Sequence, residues 1–433
     1  MSTKDAGPGT EGFARQRRFW TITGWAAVFG LVMGGVGILW LLLVEKLPQE
    51  LWGHPTEHNF AGGRWWWIPL ATGLGLVVGL MRRVLTSAEQ PDLFAEIGQA
   101  HVDSKAVPPS IAVSAVSLMS GASLGPEGGL GLLGGGLGDW WANRTGSDPE
   151  MRKAHTLTGM AGAFGGLFTA PLLGPLMISE VTRPGRDRPV ERLVPTVVAS
   201  TLGFAVLYPV VGHTFLGLYR VPSYDVKVWH MFAAVGVGAV CAVVAVITGV
   251  TMKVFARVAE SASPGPVALA TAGGLVIGLL AYLLPLTLFS GSGDLELVVN
   301  DGPAIGLALL IATAVAKVVT FAVSISTGFI GGTVFPMLFI GGTVGVALHV
   351  AIPGLPAGLA VPAAMAAVPG AAIAIPFSLI AIVAFAVTVS AASIAPIGIA
   401  VLTSYLLVVG TGLAGRQAVT KETTTRAARP RAE

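Results

Sequence analysis

A single carboxylate, Glu127, stands in glycine-rich backbone at Gly121-Ala-Ser-Leu-Gly-Pro-Glu-Gly-Gly-Leu-Gly131. An ionisable group at membrane depth costs about 3 kcal/mol even on the lenient insertion scale, so such a group marks a place that ions, protons or substrate visit. Glycine removes the side chains that would keep a small ion from backbone N–H groups, and Pro126 suits the first turn of a helix beginning there. That helix would aim its positive end at the site, an arrangement suited to anions. The plain alternative is an ordinary tight turn outside the membrane, since Gly-Pro marks those as well. A second stretch, Ser326-Thr-Gly-Phe-Ile-Gly-Gly-Thr-Val-Phe-Pro-Met-Leu-Phe-Ile-Gly-Gly342, repeats the pattern of glycines before a proline-started apolar half-helix. One such stretch in each half of a chain points to an inverted repeat with its site between the halves. Glycines that merely pack helices are the competing reading for either stretch alone. Backbone amides and the hydroxyls of Ser123, Ser326 and Thr327 would replace an anion's hydration shell.

The elements that must position these residues are membrane helices. Hydrophobic residues make up 53% of the 433 and charged residues 11%, against roughly 25% charged in soluble domains. About 20 apolar residues span a bilayer, which allows on the order of ten or more spans, some of them short. The 58 glycines favour close helix contacts and broken segments. Cys241 is the single cysteine, which excludes an internal disulfide. Basic residues gather at the chain ends, which speaks to orientation and not to nucleic acid.

Residues 1–19 read as a polar cytoplasmic segment with Lys4, Arg15, Arg17 and Arg18, followed by an anchor from Trp20 to Val44. Glu45 to Arg64 reads as a polar loop, and Trp65-Trp66-Trp67 as an aromatic belt before a return to Arg82-Arg83. Ser87 to Lys105 is amphipathic, with Pro91 at its first turn. The first half runs over about 107–260: Val107 to Trp141, Ala154 to Ser179, Val194 to Val211 and Trp229 to Val254. Its basic group Arg183, Arg186, Arg188 and Arg192 marks a cytoplasmic end. Ser261 to Pro266 is the linker. The second half, about 267–413, holds Val267 to Leu288, Ile305 to Ile325 and proline-rich apolar segments to Leu413, before a basic tail at 414–433. Both termini are expected in the cytoplasm, and the 20–413 membrane domain in the plasma membrane.

From about Trp25 to Tyr405 the chain resembles the chloride channel and chloride/proton antiporter (CLC) family. Gly125-Pro-Glu-Gly-Gly129 is similar to that family's Gly-Arg/Lys-Glu-Gly-Pro motif, with Glu127 at the gating glutamate. Lys317-Val-Val-Thr-Phe-Ala-Val-Ser-Ile-Ser-Thr-Gly-Phe-Ile-Gly-Gly332 with Pro336 resembles the second-half signature. His155-Thr-Leu, Ala170-Pro-Leu-Leu-Gly174 and Ile178-Ser-Glu-Val-Thr182 follow in family order. The resemblance implies an all-α integral membrane fold, an inverted repeat of tilted and broken helices, and a homodimer with one pore per subunit. It implies transport of chloride or a similar small anion gated by Glu127, with anion contacts at Ser123, Gly125, Pro126, Gly128, Gly332, Thr333, Val334 and Phe335. Ionised Glu127 would hold the outer anion position, and conduction should rise with acidity as it is protonated.

Departures from the pattern bear on the ion and on coupling. The family's anion-binding serine falls at Ala88 within Ser87-Ala-Glu-Gln-Pro91, and its phenylalanine at Val334, where a backbone donor survives. The late tyrosine has no counterpart, since Tyr405 falls earlier. Fluoride-handling relatives carry a carboxylate near Thr333. The antiporters' inner glutamate falls at Val181, and its neighbour Glu180 points about 100° away on a helix. This favours a channel; anion/proton antiport of chloride or fluoride is the alternative. The family's paired regulatory domains are not expected after the last helix.

A remote rival comes from the resemblance of Gly121-Ala-Ser123 and Ala154-His155 to the motifs of intramembrane serine proteases, whose nucleophile needs its base within about 3 Å. It explains neither the second glycine stretch nor the chain length. Lys317 and Glu180 read as snorkelling or helix-capping charges. No metal cluster, phosphate loop or dinucleotide fingerprint appears, so neither a cofactor nor an enzyme is expected.

Overall fold

The computed structural model describes residues 8–53, 60–182, 189–212, 218–262, 265–373 and 375–410. The basic tail, Lys4, Arg183, Arg186 and Arg188 lie outside the described residues, as does part of the linker between the halves. Helix α1 (Pro8–Leu41) does not stop at Glu45 as expected. It continues through a π-helical turn at Leu42–Lys46 into α2 (Leu47–Trp52), with Pro48, which has no N–H to give to the ladder, just after the π turn. The extension buries Trp52, whose Nε1 donates to Met119 O at 2.9 Å. The expected aromatic belt divides. Trp65 is 72% exposed, while Trp67 is 2% exposed and donates through Nε1 to Trp52 O at 3.2 Å.

Helix α3 (Trp67–Val84) ends on Arg82 and Arg83. Pro91 precedes α4 (Leu93–Gln99) instead of entering its first turn, because Asp92 caps that helix by accepting from Ala95 N. The first glycine stretch separates α5 (Val107–Met119) from α6 (Glu127–Thr145). The segment expected as one helix to Ser179 is two, α7 (Pro149–Leu167) and α8 (Leu173–Thr182), parted by Thr169 at φ +47° and Pro171. There follow α9 (Pro189–Val211), α10 (Val228–Ala262), α11 (Gly265–Leu283), α12 (Asp294–Ile305) and α13 (Leu307–Ser326). The second glycine stretch leads into α14 (Val334–Ala351), and α15 (Ala357–Ala372), α16 (Pro376–Val387) and α17 (Ile394–Gly410) complete the described chain.

Eight helices among the described residues are long and apolar enough to cross a membrane, and α5, α15 and α16 are apolar but shorter. The protein is therefore a multi-pass membrane protein, nearly all helical. Exposed Phe232, Leu39 and Leu406 belong on faces that lipid covers. Inside, association cannot rely on the hydrophobic effect, since lipid tails are as apolar as leucine, so helices close on small residues. On α6 and α7, a Cβ at Gly134 would strike Gly159 O, and one at Gly159 would strike Gly134 O. On α14 and α15, a Cβ at Gly345 would lie 2.6 Å from Ala360 O. These buried pairs carry the glycine loops, so their backbones define where the loops meet.

Neither backbone at the α6–α7 contact can yield to a side chain. Gly159→Leu is expected to destabilise the protein by about 3 kcal/mol or more, read as a lowered unfolding midpoint in detergent, while Gly236→Leu, with open space around its Cβ position, should leave the midpoint unchanged.

Candidate functional site

Both glycine stretches leave their helices through a left-handed glycine, Gly121 at φ +83° and Gly328 at φ +93°, a conformation that a Cβ would oppose. Their extended portions then pair with each other. Gly125 N donates to Gly332 O at 2.9 Å, and Gly332 N donates to Gly125 O at 2.7 Å, a two-residue antiparallel bridge across the centre of the helical core. Each loop is also held by the helix that precedes the other. Ser117 on α5 accepts from Ile330 N at 3.0 Å, and Ser324 on α13 accepts from Ser123 N at 3.1 Å. Both serines donate one turn back, to Val113 O and Thr320 O. Gly121 and Gly328, Ser117 and Ser324, Gly125 and Gly332 are each separated by the same 207 residues that separate Glu127 from Val334. The contacts thus obey an approximate two-fold relation, the signature of a repeat.

Glu127 is the position at which that relation breaks chemically. Its side chain is 1% exposed, and its Oε1 accepts from Val334 N at 2.7 Å and Phe335 N at 3.4 Å, the first donors of α14. A Cβ added at Gly125 or Gly332 would land on the Glu127 carboxylate, so the carboxylate lies between those two α-carbons. Its Oε2 has no hydrogen-bond partner, and neither has the Ser123 hydroxyl, which is fully buried. The α6 start is fixed by Trp40, whose Nε1 donates to Pro126 O at 3.1 Å and whose ring fills the space a Gly129 Cβ would need. Gly128 touches the second loop directly, because its Cβ would lie 2.8 Å from Gly332 N.

The family model described as voltage gated chloride channel matches residues 73–409, well over half of the chain. This protein belongs to the voltage gated chloride channel family. Similar curated relatives are the proposed ion-transport protein YfeO of Salmonella newport (strain SL254), 26% identical over 353 residues, 78% of this chain and 83% of that one. The YfeO of Escherichia fergusonii is 27% identical over 349 residues, 77% of this chain and 78% of its own. Among solved structures, a slow cyanobacterial Cl-/H+ antiporter superposes with a TM-score of 0.78 at 18% identity, covering 93% of this chain and 99% of that one. A CLC-type fluoride/proton antiporter gives 0.70 at 19% identity, covering 93% and 96%. At these identities the two solved structures speak to the fold, which matches the expected CLC architecture.

Placed in the family fold, the expected anion contacts separate into two groups. The N–H groups of Gly125 and Gly332 are used on each other. Val334 and Phe335 present their N–H groups to an anionic oxygen, and Thr333 is the residue before α14 with no side-chain capping bond. The structure does not bring Glu180 and Val181 into this cluster. Glu180 caps α16, its carboxylate accepting from Phe377 N and Ser378 N at 2.8 Å and from Ser378 Oγ at 2.6 Å, while Val181 lies against α4 at Gly98. Ser123 and His155 form no dyad. The Ser123 hydroxyl and His155 Nδ1 both lack partners, and the His155 ring stands edge-on to Phe29 at 5.5 Å. Sequence reasoning missed Trp40, Ser117, Ser324 and Gln90, whose Nε2 donates to Gly331 O at 2.7 Å. A usable signal existed for the serines: Ser117 precedes Gly125 by as many residues as Ser324 precedes Gly332.

Each anchoring serine satisfies a buried N–H that has no alternative partner at membrane depth. Ser117→Ala and Ser324→Ala are each expected to cost about 1–3 kcal/mol, and the double variant should depart from additivity because both bonds fix one bridge. Unfolding midpoints in detergent across the four-member cycle would check this, and strict additivity would count against the shared bridge.

Proposed function

We propose that this protein exchanges a small anion, chloride first and fluoride second, for protons across the membrane, with Glu127 as the group where the two fluxes meet. The observation that carries the reading is the Glu127 carboxylate seated on Val334 N and Phe335 N. A carboxylate on those amides is a tethered anion, so a free anion arriving from either side must displace it or be excluded. Protonation removes the charge that the amides and the α14 N-terminus attract. The neutral side chain then leaves and the anion enters. Competition of proton and anion for one position is by itself a coupling of their movements. The Ser123 hydroxyl and Glu127 Oε2, buried and unpartnered, supply a donor and an acceptor for the travelling species.

The similar solved structures are a Cl-/H+ antiporter and a fluoride/proton antiporter, which supports exchange over the passive conduction favoured from Val181. Passive conduction keeps one specific support. Valine binds no proton, and the neighbouring Glu180 is held by three donors at α16. In this reading the membrane domain is two halves, about 107–260 and 267–413, in the plasma membrane with cytoplasmic termini and basic ends inside. Two copies pair as a homodimer, as family resemblance implies, each with its own pathway.

An imposed chloride gradient across liposomes holding the purified protein should drive uphill proton movement at a fixed ratio. Rapid anion leak without proton movement would instead establish passive conduction. Glu127→Gln should abolish the rise of anion flux with acidity, since glutamine carries no charge at any pH; a retained rise would remove Glu127 from the gate. Gly332→Ala separates gate from loop. Its methyl meets the far end of the flexible Glu127 side chain and should expel it, giving flux that no longer depends on pH. Gly128→Ala meets backbone at Gly332 and Gly331 and should stop transport instead.

A further inference from the structure

Lys317 is fully buried in α13, with none of the exposure that snorkelling requires. Its ammonium points into a turn of main chain. Nζ donates to Leu288 O and Phe289 O at 2.8 Å and to Thr287 O at 3.1 Å, with Leu286 O at 3.5 Å. An ammonium has three donors, and all three are engaged by backbone oxygens. The Phe339 ring of α14 covers the charge at 4.7 Å from its centroid. Non-helical backbone at membrane depth persists only where its polar groups are satisfied within the protein, and here the satisfying group is a cation.

The turn held in this way is strained and directed. Phe289 adopts φ +54°, a left-handed conformation that a bulky side chain enters only when its surroundings impose it. Its N–H donates to Gly121 O at 3.1 Å, the residue where the first glycine loop leaves α5, and its ring stands edge-on to Trp52 at 5.6 Å. Two turns further along α13, about 10 Å of helix rise, Ser324 accepts from Ser123 N of the same loop. One helix therefore grips the loop leading to Glu127 at two points, through Phe289 on Gly121 and through Ser324 on Ser123.

We propose that Lys317 is a positioning residue for the gate: its ammonium clamps the Leu286–Phe289 turn, fixes Gly121 through Phe289 N–H, and places a positive charge about two turns of α13 from Ser324, which holds Ser123 of the gate loop. The proposal rests on Glu127 being the gate. The charged groups around Lys317 are few. Helix α12 brings Asp294, whose field reaches the ammonium, and carries Glu296 in its first turn and Asp301 further along. Helix α14 brings the Phe339 ring and, in its last turn, His349. Helix α11 and the 3-10 turn at Pro285–Thr287 carry no charged side chain, and α10 has His230 in its first turn and Lys253, Arg257 and Glu260 in its last three. A positive charge behind the gate loop favours the ionised Glu127 and the anion that replaces it.

The test uses the full chain in liposomes, with chloride efflux read across pH and normalised to each variant's maximum. Lys317→Met should move the midpoint of acid activation to higher pH by about one unit, while Lys317→Arg should hold it near the wild-type value. In a Glu127→Gln background, Lys317→Met should leave the flat profile flat. Where Lys317→Met does not fold, Lys317→Gln keeps two N–H donors without the charge and should shift the midpoint in the same direction. Asp294→Asn leaves the cage intact and should shift it the opposite way, to lower pH. A role confined to stability would lower flux equally at every pH with no shift in midpoint. Acid activation that survives in Glu127→Gln would overturn the gate and this proposal together. A gate that behaves as expected while folded Lys317→Gln and Asp294→Asn both keep the wild-type midpoint would overturn this proposal alone.

Discussion

Gly125 and Gly332 donate to each other's carbonyls in the middle of a helical membrane protein, where main chain outside a helix has no water to turn to. Two loops that enter the core each leave polar groups without intrahelical partners, and the least costly solution is for each loop to satisfy the other. That reciprocity demands a close approach of backbones, hence glycine at the contact and glycine again at Gly128, where a methyl would meet the facing chain. It also demands fixed heights for α6 and α14, which the backbone-to-backbone contacts of α6 with α7 and α14 with α15 provide. The bridge and the helix contacts support each other, so neither has a meaning alone.

The bridge sets the chemistry by deciding which donors remain. It uses the amides of Gly125 and Gly332, leaving those of Val334 and Phe335 at the start of α14. A side chain two residues after Gly125 faces these free amides across the bridge. In the first half that side chain is a carboxylate, Glu127; at the matching place in the second half it is Val334. One loop thus offers donors and the other an acceptor. An approximately two-fold scaffold becomes a site with two different sides through one difference in side-chain type.

Support of the loops is drawn from far along the chain. Trp40 from α1, Ser117 from α5, Ser324 and Lys317 from α13 and Gln90 from the connection before α4 each reach main-chain oxygens or nitrogens of the two loops or of the turn behind them. Each is polar at one end and otherwise apolar or short, which suits a group that must be buried in hydrocarbon surroundings yet complete a hydrogen bond.

Read alone, the sequence was sufficient for the class, the placement of both glycine stretches and the presence of one carboxylate, Glu127, among them. Apolar spans, positive helix ends and a lone carboxylate among glycines are local properties, written in consecutive residues. It was also sufficient for the family, because five ordered motifs survive divergence. It misplaced Trp67, which reads as interface and lies in the core, and the start of the polar segment after Glu45, which stays helical to Trp52, where the indole has a buried partner in Met119 O. It treated all the glycine amides as equivalent, and it could not assign Lys317. Hydrogen bonds between positions 28 to 207 residues apart decide those matters: which amides are used, which carbonyls a buried ammonium meets, and whether Glu180 caps a helix or faces a pathway. A linear pattern records which groups need partners at membrane depth, and only the packed chain fixes which partners they find.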